Sequence, residues 1–182
     1  SFFLSILIIK NLKVNFLVNT ILVTSALYLF LVTSREFLIK GINNLAQNLA
    51  HFGFSLLILS ILFNNFFSTE VITNLKIGET FKSEKINITF ESIEKKEIKN
   101  YSSIIGKINI NDPKGLNQTL EPELRIYNQP NIVTSEADIK TNLFSDKFIT
   151  MNLVQNQEFF NIRYQIKPFM IWIWISVLLS LI

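Results

Sequence analysis

Three apolar runs and one alternating stretch organise the 182-residue chain. Residues 14–34 carry no charge, and at 1.5 Å per residue such a helix matches the roughly 30 Å hydrocarbon layer of a bilayer. A second uncharged stretch covers 41–69. It starts polar, with Asn43, Asn44, Gln47 and Asn48, and turns strongly apolar from Phe52, which predicts a second span over 45–67. Residues 168–182 form a third apolar run, a few residues short of the roughly 20 that cross comfortably. Residues 1–9 are apolar but lack the basic start and small-residue cleavage site of a signal peptide. They read as the end of a preceding membrane element, and a first residue other than Met suggests a piece of something longer.

Between the second and third runs the texture changes. Segments 85–93, 104–110, 147–154 and 159–166 alternate apolar and polar residues and are rich in Ile, Phe, Thr and Tyr, the pattern of strands with one wet face. Turns fit at 111–115 and at 129–131, where Asn, Asp, Gly and Pro cluster. The expected fold is an integral membrane α-helical protein with an inserted small all-β extramembrane domain, an antiparallel sandwich or barrel. The expected division is a two-span membrane region at 1–69, the β domain at 70–166 and a C-terminal membrane helix at 167–182.

Composition narrows the chemistry. With 49% hydrophobic and 17% charged residues and a mean hydropathy of +0.35, the chain is too apolar for an ordinary soluble domain or a disordered tail. It has no cysteine, which removes disulfides, thiol nucleophiles and cysteine metal sites. No GxGxxG or GxxxxGK[ST] pattern occurs among its five glycines, so nucleotide chemistry finds no support. The formal charge of +3 does not point to nucleic acid either. Charges balance between residues 70 and 167, and the excess lies at Lys10, Lys13, Arg35 and Lys40, beside apolar runs, as at membrane flanks. Arg35 and Lys40 fit a short inside loop that sends the β domain outside, whereas Lys10 and Lys13 pull the other way. The abundance of Asn, Ile, Lys and Phe suits the AT-rich genome of an organelle or a reduced bacterium.

His51, the one histidine, lies inside the second apolar run, roughly 10 Å along that helix. An ionisable group at such depth is costly and marks a functional site by default. Neutral imidazole is an axial ligand for haem iron, and a porphyrin can lie among apolar side chains. A hydrogen bond from His51 to another helix is the alternative. Gly53 would ease the approach of either a flat macrocycle or a neighbouring helix. Trp172 and Trp174, close to Lys167, Arg163 and Tyr164, read as an interfacial anchor, and at a spacing of two they face nearly opposite ways. Glu121, Glu123 and Arg125 would share one face of an extended strand as a solvated ion-pair cluster, and no catalytic residue is signalled. No charged residue lies inside any span and no broken helix pair is signalled, so a transporter fragment is disfavoured.

Taken in order, five motifs resemble the C-terminal part of the CcmF family, the haem lyase subunit of cytochrome c-type biogenesis. They are Leu49-Ala50-His51-Phe52-Gly53, Asn100-Tyr101, Leu120-Glu121-Pro122-Glu123-Leu124-Arg125-Ile126-Tyr127, the stretch 134–139, and Pro168-Phe169 followed by Trp172-Ile173-Trp174. The resemblance implies that His51 is an axial iron ligand of a membrane haem b, the only cofactor-binding and metal-binding residue expected here. The second axial histidine would come from an N-terminal CcmF-like chain, because His51 has no second histidine beside it in this sequence. The implied partners are that chain, a haem chaperone, apocytochrome c and membrane lipid. The implied function is a subunit of a multi-chain lyase, not active alone, that helps attach haem covalently to apocytochrome c. A split organellar form in the mitochondrial inner membrane, with its β domain in the intermembrane space, is the expected setting; a bacterial inner membrane with a periplasmic β domain is the alternative. The competing functional expectation is a structural or assembly subunit of a membrane, respiratory complex that keeps the fold without lyase activity.

Overall fold

The computed structural model describes residues 16–40, 44–84, 86–111, 117–154 and 158–182. Lys10, Lys13, segment 1–9 and most of the turn expected over 111–115 lie outside the described residues. The chain divides into two compact units, a helical one drawn from Ser1–Ser68, Thr141–Asp146 and Lys167–Ile182 and a β unit of Thr69–Lys140 and Lys147–Ile166.

The helical unit contains α1 (Phe16–Lys40), α2 (Leu45–Phe67) and α3 (Met170–Ser180). Helix α1 runs past the expected end at residue 34 and through Arg35 and Glu36, because no Pro or Gly interrupts the sequence before residue 41. Helix α2 occupies the residues that the apolar pattern marks. Both are long and apolar enough to cross a membrane, with apolar stretches at Val18–Ile39 and Leu45–Phe67. Helices α1 and α2 pack through Val23, Ala26, Leu27 and Leu59, flanked by Phe30, Ile58 and Phe63. A buried hydrogen bond of 2.7 Å joins the Thr33 and Ser55 hydroxyls, and the Phe52 ring lies 5.6 and 5.8 Å from those of Phe30 and Phe37. Polar groups in an apolar helix pair find partners in this way because an unsatisfied one is costly there. Helix α3 packs on another side of α2, where Gly53 meets the backbone of Ser176 and Ser180. Small residues let the two backbones come close.

The β unit is a two-sheet sandwich, not a barrel. One sheet has the order β1 (Thr69–Leu75), β10 (Phe160–Pro168), β9 (Ser145–Leu153), β8 (Asp138–Thr141). The other runs β2 (Thr80–Lys82), β3 (Asn87–Ile98), β4 (Tyr101–Asn111), β6 (Glu123–Asn128), β7 (Asn131–Glu136), with β5 (Asn117–Leu120) beside β4. Strands β5 and β6 line up on different halves of β4, separated by Glu121 and Pro122. Proline cannot donate to the ladder, so the strand breaks there while the Gly106 amide still reaches the Pro122 carbonyl at 2.9 Å. The turn expected at 129–131 joins β6 to β7, with a cis Gln129–Pro130 bond.

Strands β3 and β4 are longer than the alternating segments alone suggest. The charged run Glu94-Lys95-Lys96-Glu97 pairs in register with Ile105, Ile104, Ser103 and Ser102. Charge hides a strand from hydrophobic periodicity when its outer face is solvated and a bulge between Phe90 and Ser92 resets the phase. The core between the sheets is built from Ile88, Phe90, Ile108, Leu120, Ile149 and Ile162, all fully buried. Every second residue of each strand faces inward, which is the physical content of the alternation seen in the sequence.

Candidate functional site

His51 lies in the second turn of α2, and its side chain is exposed. At 100° per residue, Gly53 points about 160° away from it, into the α3 contact, while Ser55 on the adjoining flank bonds to α1. Gly53 therefore serves the neighbouring helix and not the surroundings of the histidine. The same rotation places exposed Gln47, Phe54 and Ile61 on the side of the helix that His51 occupies. His51 thus sits at the margin of the α1 contact: Ser55 and Ile58 beside it pack against α1, while Phe54 and Ile61 on its other flank are exposed, and the exposed imidazole is available to a ligand or to another chain. Among the described residues no cluster of three or more histidine or acidic side chains could hold a metal ion.

Residues of three motifs far apart in sequence, Tyr101, then Glu123, Arg125 and Tyr127, then Thr134 and Glu136, meet on the outer face of the six-stranded sheet. Register places Tyr101 opposite Tyr127, Ser103 opposite Arg125, and Arg125 opposite Thr134. The two tyrosine rings are 5.2 Å apart, and the Arg125 guanidinium lies 5.2 Å from the Tyr101 ring centre. Arg125 donates to Glu123 at 2.9 Å and stands 3.8 Å from Glu136. Glu121 is not part of this cluster: it precedes β6, and its backbone amide donates to Asp138 at 2.7 Å. The expected Glu/Arg face thus keeps Glu123 and Arg125, loses Glu121 and gains Glu136 and two tyrosines. Tyr127 stands in the same segment and strand as Arg125, whereas Tyr101 and Glu136 come from β4 and β7, and only strand pairing brings them beside it.

Arg125 holds the Glu123 carboxyl below its ordinary value of 4.5, and Glu123 raises Arg125 in return. A carboxyl lowered by folding contributes stability that is present above its unfolded pKa and is lost as pH falls through the folded value. Glu123→Gln should therefore cost a few tenths to about 1 kcal/mol at neutral pH, in keeping with a half-exposed ion pair. That difference should shrink as the medium is acidified below the ordinary carboxyl range and the folded carboxyl takes up its proton. Urea unfolding of both proteins at neutral and at acid pH checks this, and an equal difference at both would exclude the ion pair as its cause.

Trp172 donates from its indole nitrogen to the Leu143 carbonyl at 2.8 Å, whereas the Trp174 side chain is exposed. The opposite orientations expected at that spacing are observed.

Known proteins were compared with the chain. The family model described as "CcmF C-terminal beta-sandwich" matches residues 66–168. The chain is similar to the cytochrome c-type biogenesis protein CcmF of Haemophilus influenzae, 26% identical over 149 residues that cover 79% of this chain and 23% of that protein. It is 26% identical over 133 residues to CcmF of Pseudomonas aeruginosa, covering 73% of the chain and 20% of the relative. The cytochrome c-type biogenesis protein ccl1 of Rhodobacter capsulatus is 31% identical over 110 residues, 60% of the chain and 17% of the relative. The chain thus spans about a fifth of the length of these relatives. Among solved structures, one titled cytochrome c heme lyase CcmF superposes with a TM-score of 0.65 at 18% identity, covering 87% of this chain and 29% of that one, a likeness of fold.

Proposed function

The chain belongs to the CcmF family, and on that premise we propose that it is a subunit of the cytochrome c maturation haem lyase, holding a membrane haem b through His51. Helices α1 and α2 span the inner membrane, mitochondrial or bacterial, and the β unit stands on the outer side where apocytochrome c and the haem chaperone arrive. A companion chain carrying the N-terminal part of the family's fold supplies the second axial histidine. The observation that carries this reading is the exposure of His51 inside an uncharged helix, with exposed apolar Phe54 and Ile61 on one flank.

The residues present fit a flat iron macrocycle. A neutral imidazole suits the iron, and Phe54 and Ile61 offer apolar surface along the same side of α2. Haem bound there supplies one-electron chemistry at its iron. The chain's own contribution is to fix the direction of the imidazole. Helix α2 is locked against α1 by the Thr33–Ser55 hydrogen bond and the Phe30–Phe52 contact, and against α3 at Gly53. A donor on a helix fixed on two sides has little freedom to turn. The outer sheet face, with Tyr101, Arg125 and Tyr127, gives the β unit a patterned surface suited to docking.

The test is the chain co-purified with its companion chain in detergent. The wild-type complex should show a b-type optical spectrum. In His51→Gly that spectrum should be lost, and added imidazole should restore it by replacing the missing ligand. An unchanged spectrum in His51→Gly would remove His51 from the iron.

A further inference from the structure

The β unit encloses a cavity of about 250 Å³ between its sheets, at the end where the chain enters and leaves the sandwich. Its apolar wall is made by Val71, Ile86, Ile110 and Ile166. The remaining lining breaks the inward alternation of the strands. In β9, Ile149 and Met151 are core residues, so Lys147 two positions earlier takes the same inward phase. In β5, Leu120 is core and Gln118 shares its phase. In β1, Leu75 and Val71 face in, and so does Thr69. Polar residues at three inward positions, all meeting at one cavity, go against what a stable core selects and mark a functional site.

The lining carries one cation, Lys147, and one anion, Glu70. Lys147 is half-buried, and its Nζ donates to a neutral acceptor, Gln118 Oε1, at 3.1 Å. Among the described residues no carboxylate pairs with it. Glu70 also borders the space, but it has the opposite strand phase and its carboxylate receives Arg163 and Gln165 on the outer face. An ammonium group of three donors with one neutral partner is a receptor for an anion. The space exceeds the 150 Å³ or so that suffices for benzene and falls just below the roughly 300 Å³ at which drug-sized pockets begin. It has room for one short apolar tail.

We propose that this cavity binds a single-chain carboxylate amphiphile, its carboxylate on Lys147 and Gln118 and its alkyl tail between Val71, Ile86, Ile110 and Ile166. The site is separate from His51 and stands whether or not His51 ligates iron.

The experiment uses the full chain in lipid nanodiscs, titrated calorimetrically with octanoate, with empty nanodiscs subtracted. Acetate and octyltrimethylammonium serve as the tail-less and charge-reversed controls. Octanoate should saturate one site, and neither control should. Lys147→Met should weaken octanoate binding about tenfold or more, because it removes a charge-assisted hydrogen bond. Lys147→Arg should keep most of it, and Ile110→Trp should abolish it by filling the tail space. Lys147→Met places an apolar side chain at an inward position, so its unfolding curve should remain cooperative and report an intact sandwich. Octanoate that fails to saturate, octyltrimethylammonium binding as tightly as octanoate, or a folded Lys147→Met with wild-type affinity would each overturn the proposal.

Discussion

Gly53→Leu should destabilise the helical unit by about 3 kcal/mol, read as earlier thermal unfolding of the full chain in detergent. A Cβ at this position would stand 2.7 Å from the Ser180 amide nitrogen and 2.9 Å from the Ser176 carbonyl oxygen. Both are backbone atoms of α3, so no side-chain rotation relieves the clash and the helices must separate. Alanine makes the decisive comparison. Its better helix propensity favours it by about 1 kcal/mol, but overpacking costs about 1–3 kcal/mol, and against rigid backbone the second effect wins. Gly53→Ala should therefore be mildly destabilising and Gly53→Leu severely so. Because Gly53 points away from His51, the haem content per folded molecule should be little changed in Gly53→Ala. A stable Gly53→Leu protein that had lost its b-type spectrum would show instead that the glycine makes room for the macrocycle.

Phe90→Ala should cost the sandwich about 3–5 kcal/mol, the range for a fully buried aromatic truncated to a methyl. Phe90 lies at the meeting of the two sheets, its ring edge-on to Phe160 at a centroid distance of 5.2 Å. It also borders Gly106, where a Cβ would approach the Met151 sulfur to 2.7 Å and Phe90 to 3.3 Å. Sheets on both sides hold the backbone in place, so the space left by the ring cannot collapse and the void adds to the lost burial. Denaturant unfolding followed by far-UV circular dichroism measures the change. A loss under about 1 kcal/mol would mean that the sheets close over the gap and that the core is not packed as described. By contrast Trp174→Ala removes an exposed side chain and should leave this transition where it is.

Local pattern carried much of the architecture. The apolar stretch of 45–67 is helix α2, and the alternating segments at 147–154 and 159–166 lie almost entirely within β9 and β10. The strands are legible because each records its buried side in a period of two, and the helix because an uncharged run of that length matches a membrane span. Where the pattern is interrupted, legibility fails. Charges hid the outer half of β3, and Pro122 split what pairs with β4 into two short strands.

The candidate sites divide in the same way. His51 stood out by itself, since one ionisable residue in an uncharged run is visible without any fold. That its imidazole is left exposed at the margin of the α1 contact, with Gly53 turned toward α3, depended on which helices pack against which sides. The Tyr101, Arg125, Tyr127 and Glu136 cluster and the Thr69, Gln118 and Lys147 lining are products of register alone. Hydrophobic periodicity encodes which side of an element is buried, while the pairing of distant strands comes from the mutual fit of many such faces at once. The amino-acid order therefore determined the elements, the family resemblance and one candidate ligand, and only the tertiary structure decided which distant side chains share a site.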